Sequence, residues 1–284
     1  MTGPTDKMKA QARMAEDFRS LHKGTILVLP NAWDVPSARV FEDAGFPAVA
    51  TSSAGVTVSL GYRDGEEIGI ENYVSAVERI ASALSVPLSA DVVGGFGDSP
   101  SEAASSVKSV ISAGAIGINI EDFVHQTKKL LPVQEQVQKL RALVALKDSM
   151  KIPFVINART DALRFATGDD KGKLEEAISR GRAYRDAGAD CVYPMGLTEP
   201  TAISEYVKAL SFPVNVMVRA GLPPIGELRR LGVARVSFGP SASYAAMGLL
   251  ARASREVLDK GTYQTLLEGA LSFDQLNELA TKRR

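Results

Sequence analysis

Cysteine is nearly missing from this sequence: Cys191 is the only one among 284 residues. No disulfide can therefore form within the chain, and such sparing use of cysteine fits a reducing cytoplasm. Net charge is missing as well. Thirty-three basic residues balance 33 acidic ones, so no global field draws in nucleic acid or an anionic membrane. Long apolar runs are absent too, and no stretch approaches the ~18–20 residues needed to span a bilayer. The opening MTGPTDKMKAQARMAEDFRSL is polar and has no apolar core of the length a secretory signal requires. At 45% hydrophobic and 23% charged residues, the composition is that of a soluble globular protein, expected in the cytoplasm.

What the chain does contain is a regular series of short apolar runs. They are TILVLP (25–30), PAVATSS (47–53), VPLSAD (86–91), AIGINIED (115–122), PFVINARTD (153–161), DCVYPM (190–195), PVNVMV (213–218) and ARVSFG (234–239). Helix-length segments with apolar positions three and four apart, such as SEAASSVKSVISAG, separate them. Several of these segments end on a glycine just before the next run, in EDAGF, SAGAI, RDAGAD and RLGVA. A glycine there suits a left-handed helix terminus that turns directly into a strand. Eight alternating β/α units with continuously apolar strands predict a parallel sheet sheathed in helices, most simply a (β/α)8 TIM barrel. A doubly wound open sheet, the runner-up, does not favour the number eight. Residues 1–24 read as a leading helix and about 241–284 as further C-terminal helices, all in one domain spanning 1–284.

In such a barrel the chemistry gathers where strands end and βα loops emerge. Polar residues collect at those places. The second run ends in Thr51-Ser52-Ser53, the third in Asp91, the fourth in Glu121-Asp122, and the fifth in Arg159 with Asp161. Strand alternation puts Asn119 with Glu121 on one face, and Asn157 with Arg159 and Asp161 on one face. Carboxylates and an arginine converging at a barrel mouth can hold a divalent cation together with a small anionic substrate. They can equally satisfy one another as structural pairs.

Other positions are open to two readings. The GGFG after Asp91 is not a full phosphate fingerprint, and SPSE at 99–102 reads as a helix start, with Ser99 as cap and Glu102 closing a capping box. His125 either reaches the mouth or is an exposed loop histidine. Cys191, inside an apolar run, reads as a buried small hydrophobe. Asp34 reads as a helix cap. Asn215 bonds either a substrate or a neighbouring side chain.

Over nearly its whole length the sequence resembles the isocitrate lyase/phosphoenolpyruvate mutase superfamily. The resemblance is carried by LPNAWDVPSARVFEDAGFPAVATSSAGV, LGYRDG, ADVVGGFGD, AGAIGINIEDF, INARTDAL, AYRDAGADCVYP and LGVARVSFGP, in that order and spacing. It implies a (β/α)8 barrel that exchanges a C-terminal helix between subunits of a dimer or homotetramer. The implied chemistry is Mg2+-dependent (with Mn2+ as an alternative cation) and breaks or forms a C–C or P–C bond beside a carboxylate, through an enolate.

By position, the resemblance makes Asp91 the direct metal ligand, with Asp64 and Glu121 holding metal-bound waters. Arg159 binds the substrate carboxylate, and Ser52, Ser53 and Ala54 cradle it. Two departures narrow the expectation. Val93 stands where the family carries a second carboxylate. EDFVHQTKKLLPVQEQ lacks the loop cysteine in Lys-Lys/Arg-Cys-Gly-His that lyase members carry, and the Asn and Ser of the mutases. His125 is a candidate to substitute as proton donor. The expected function is a lyase or hydrolase cleaving a C–C bond of a small 2-oxo or 2-hydroxy (di)carboxylate, oxaloacetate-like or isocitrate-like. The alternatives are a phosphonopyruvate-type P–C bond enzyme and an inactive barrel that binds 2-oxo acids.

Overall fold

In the computed structural model, which describes residues 4–281, each predicted apolar run holds a strand, trimmed at its ends. These are β1 (Leu27–Leu29, resumed at Asn31–Ala32), β2 (Val49–Thr51), β3 (Leu88–Asp91), β4 (Gly117–Glu121), β5 (Val155–Thr160), β6 (Cys191–Pro194), β7 (Asn215–Met217) and β8 (Arg235–Ser237). β1 to β6 pair in chain order, all in parallel. β8 lies between β7 and the first half of β1. One bridge, Val192 to Val214, joins β6 to β7 and closes the circle.

Pro30 divides β1. It has no N–H to donate, yet its carbonyl accepts from the Ala50 N–H at 2.8 Å, so the strand can leave β8 and take up β2. An open sheet is excluded, because β1 serves both edges.

Alternation decides which residues fill the barrel. Ile118, Ile120, Ile156, Ala158, Val192 and Val236 are buried in the apolar layer. Their neighbours Asn119, Asn157, Arg159, Tyr193, Arg235 and Ser237 line an internal cavity instead.

The leading helix, Pro4–Ser20, lies across the end where the strands begin. Gln11 donates from its amide to the Ile111 and Ala115 carbonyls at 2.6 and 3.0 Å. The Phe18 ring sits so close to Gly117 that a Cβ there would come within 2.7 Å of it. Gly117 is therefore required by contact rather than by conformation. The four glycines predicted to end helices, Gly45, Gly114, Gly188 and Gly232, all have φ between 85° and 114°. Asp34 caps Val35–Asp43 and Ser99 caps Pro100–Ser112, each in a capping box.

The C-terminal region is Ser241–Lys260, a short helix Gln264–Leu267, and Phe273–Thr281, which packs against Val35–Asp43. No described helix is long and apolar enough to cross a membrane.

Candidate active site

The strand ends open into a cavity of about 660 Å3 lined by Ser52, Ser53, Ala54, Asp64, Asp91, His125, Arg159 and Asn215, among others. That volume suits a small ligand. Asp91 ends β3 beside it. Ser53 donates to Asp91 Oδ2 from its backbone N (3.2 Å) and its Oγ (2.8 Å), and Asn119 donates to Oδ1 at 2.8 Å. Every one of these donors is neutral, and together they fix the carboxylate's position. Tyr73 and Thr51 fix the backbone beneath it: the tyrosine hydroxyl donates to the Asp91 carbonyl at 2.5 Å, and the Asp91 N–H donates to Thr51 Oγ1 at 2.9 Å.

Asp64 approaches from the loop before the helix Ile70–Ala83. It keeps part of its surface in solvent while the cavity wall crowds its carboxyl. That crowding, and then the Asp91 charge, raise its pKa, whereas His125, Ser53 and Arg159 pull it down.

Behind this pair lies a compact ionic cluster. Glu121, buried at the end of β4, meets Arg159 Nη1 through Oε2 and His125 Nε2 through Oε1, both at 2.6 Å. Arg159 also grips Asp161 with two bonds, Nε to Oδ2 at 2.6 Å and Nη2 to Oδ1 at 3.0 Å. Burial raises the Glu121 pKa, against the pull of Arg159 and His125. Burial works against the Arg159 charge, but Glu121 and Asp161 outweigh it and lift its pKa. The bond to Glu121 raises the His125 pKa, although partial burial opposes it.

Glu121 and Asp161 are absent from the cavity lining. Arg159, to which both are bonded, and His125, bonded to Glu121, do line it. Asp122, next in sequence to Glu121, points the other way and is tied to Arg180 and Tyr184 at 3.0 and 2.6 Å.

The segment that carries His125 is a short hairpin, Phe123–Val124 with Lys129–Leu130, and it holds His125 at the mouth. Val93 is buried and turned away from the cavity, with φ of 52°, a strained value for a β-branched residue. Its carbonyl accepts from the Glu121 N–H at 2.8 Å. The loop around it is clamped by two residues the motifs did not reveal. Lys139 donates to the Gly94 and Gly97 carbonyls at 3.0 and 2.8 Å, and Glu66 accepts from the Phe96 N–H at 2.8 Å.

Asn215 lies on the cavity wall, bonded to Ser237 Oγ at 3.1 Å. Arg235, deeper on the same wall, was also missed. Its signal was a lone charge inside the otherwise apolar ARVSFG.

Among the described residues no trio of His, Cys, Asp or Glu is gathered for a metal. A closed tetrahedral site is thus unsuited. Asp91 with Asp64 nearby fits the other pattern, a hard cation held by one or two carboxylates that keeps most of its waters.

A family model described as phosphoenolpyruvate phosphomutase matches residues 18–258. An uncharacterized Mycobacterium tuberculosis protein is 36% identical over 238 residues, covering 84% of this chain and 87% of that one. The 2-methylisocitrate lyase of Escherichia coli (strain K12) is 32% identical over 254 residues, 85% of this chain and 83% of the relative. Oxaloacetate acetylhydrolase, solved in complex with the product oxalate, superposes with a TM-score of 0.82 at 27% identity, over 94% of this chain and 93% of the other. The chain belongs to the phosphoenolpyruvate phosphomutase family, and within the isocitrate lyase/phosphoenolpyruvate mutase superfamily it is an enzyme of the carbon–carbon lyase type.

Proposed function

We propose that the enzyme is a Mg2+-dependent lyase or hydrolase that cleaves a C–C bond of a small 2-oxo or 2-hydroxy dicarboxylate of the oxaloacetate type. The observation that carries this reading is Asp91, a carboxylate fixed only by neutral donors and facing a small cavity. Asp91 and Asp64 would hold Mg2+ or Mn2+, which when bound supplies Lewis-acid stabilisation to an enolate.

The chain's own residues do the rest. Ser52, Ser53 and Ala54 present backbone and hydroxyl groups to the substrate's 2-oxo-carboxylate end. Arg159 spends three N–H groups on Asp161 and Glu121, which leaves two of its five for the substrate carboxylate. Its planar fork is pre-aimed, so little order is lost on binding. Glu121 keeps His125 protonated to higher pH, which suits His125 to donate the proton that the cleaved fragment needs. No loop cysteine is required for such a substrate. Oxaloacetate acetylhydrolase, with its product oxalate, is the relative whose chemistry this reading follows.

The exposed apolar residues of the C-terminal helices, Leu258 at 83% and Phe273 at 79% exposed, support a homodimer or homotetramer that covers them, acting in the cytoplasm.

The test is direct. The purified enzyme is incubated with oxaloacetate or phosphonopyruvate in the presence of Mg2+, and oxalate, pyruvate and phosphate are assayed. Oxalate or pyruvate should appear from oxaloacetate, and Asp91→Ala and Arg159→Ala should each cut the rate by on the order of 10^3-fold. Phosphonopyruvate turnover alone would favour the P–C reading. Stabilisation by a 2-oxo acid without turnover would favour a binding barrel. Variants as active as the parent would sink the site itself.

A further inference from the structure

Arg235 opens β8 and is the largest fully buried side chain among the described residues, 1% exposed. It sits on the deep wall of the same cavity as Asp91. Three other buried or nearly buried cations are paired with carboxylates, and a fourth, Lys139, spends its N–H groups on the Gly94 and Gly97 carbonyls. Arg159 has Glu121 and Asp161, Arg180 has Asp122, and Lys147 has Asp190. Arg235 takes part in no ion pair among the described residues, and its Nε and Nη1 have no hydrogen-bond partner.

Burial opposes its charge, while Cys191, Tyr193 and Asp91 favour it. The first two supply no negative charge near neutral pH. Burial pushes the Cys191 thiol up to about 12 and raises the Tyr193 phenol likewise. A guanidinium does not give up its proton in a protein, and an uncompensated buried charge is expensive. Asp91, on the same cavity, favours the charge without pairing with it, which leaves the cavity as the route by which a paired counter-charge can enter.

Nearby groups fit a ligand rather than a sealed core. Asn215 stands level with Arg235 on β7, and Ser237 lies two residues along β8; both line the cavity. Asn157 Oδ1 is also buried without a partner. Its amide donates to Asn119 Oδ1 at 3.1 Å, and Asn119 donates to Asp91. Asn157 is thus tied through Asn119 to Asp91 at the mouth.

We propose that Arg235 forms an anion subsite that takes the second carboxylate of a dianionic substrate, while Ser53 and Arg159 hold the first at the mouth. This rests on the carboxylate-processing reading above and sharpens it: Arg235 selects dicarboxylates over monocarboxylates.

Succinate and butyrate test this, because they have the same length and differ in one carboxylate. By calorimetry on the full-length protein, succinate should bind about tenfold or more tightly than butyrate, the scale expected when one partner of a buried charge pair is lost. Arg235→Met should bring the two within about twofold, and Arg235→Lys should retain part of the preference. An unchanged ratio in Arg235→Met overturns the proposal.

A second measurement covers the case in which that variant does not fold. Crystals of the parent protein grown with bromide should show an anomalous peak at Arg235 that succinate displaces. Ordered water there, or bromide that stays when succinate binds (an adventitious ion only), overturns the subsite. These binding readouts are independent of turnover. If Asp91→Ala and Arg159→Ala leave catalysis untouched, the proposed function falls while the succinate preference still decides the role of Arg235.

Discussion

The chain's two histidines sit at opposite ends of the barrel and titrate in opposite directions. His125 hangs over the mouth, half in solvent, where Glu121 raises its pKa. His22 follows the helix that closes the other end. Burial, and then the Arg235 charge, lower its pKa to about 4 against the raising pull of the Phe18 carbonyl and Asp190. The difference shows how one barrel divides its work. At the mouth, charges are left facing a cavity; at the base, apart from Arg235 on the deep cavity wall, charge is paired or suppressed. Asp190 illustrates the base. It accepts from Lys147 and Arg19 and from the Ile156 N–H at 2.8 Å, a full set of partners, whereas Asp91 at the mouth has only neutral donors.

The largest effect should come from breaking the base. Asp190→Ala leaves Lys147, itself buried, without a counter-ion. Removing one partner of a buried pair costs roughly 3–5 kcal/mol. The solvent exposure of Arg19 moves the expectation to the lower end. Denaturant unfolding should show a loss of about 3 kcal/mol, with kcat changed less than about twofold. An equal loss of stability from Asp91→Ala would erase the proposed contrast between the two ends.

The next effect is a pH window. In the unfolded chain His22 titrates near 6.5, and in the fold near 4. Between these values the unfolded state binds more protons, so stability rises with pH and is lost as pH falls from about 6.5 to about 4. The shift corresponds to a few kcal/mol, ~3 as an order of magnitude. His22→Phe, placed against the Phe18 ring that already meets His22 edge-on at 4.9 Å, should flatten stability across that window. A slope that survives the substitution would assign acid sensitivity to the carboxylates instead.

Much of this division was legible beforehand, for physical reasons that differ by residue. The strands announced themselves because a parallel barrel buries both strand faces, so TILVLP or GINI reads as a continuous apolar run. The helix ends were legible because Gly114 and Gly188 occupy positions few other residues tolerate. Asp91, Glu121 and Arg159 were legible because a polar residue ending such a run is rare. What escaped was whatever depended on pairing across distant segments. Nothing local to Glu121-Asp122 says that the first turns toward Arg159 and the second toward Arg180 and Tyr184. Lys139, 42 residues beyond the Gly97 carbonyl it clamps, looks like any surface lysine on a helix. The hairpin carrying His125 consists of two-residue strands, too short to show alternation. Arg235 was visible as a charge in an apolar run, but its lack of a partner is a property of the whole barrel.

The smallest effect sharpens the other half of the contrast. His125 gains a proton-favouring partner on folding, so its folded pKa lies above 6.5. The stability it contributes is fully present below about pH 6.5 and is lost as pH rises through that higher value. Its side chain is 27% exposed, and solvent screening holds such a contribution well under ~1 kcal/mol. Thermal unfolding of His125→Gln should therefore differ from the parent by at most about 2 °C at pH 6 and converge with it at pH 9. The activity profile should move far more, because the same proton is the one proposed for transfer. A histidine whose removal costs stability but leaves the pH–rate profile unchanged would belong with His22 as a structural residue, and the mouth would then need another acid.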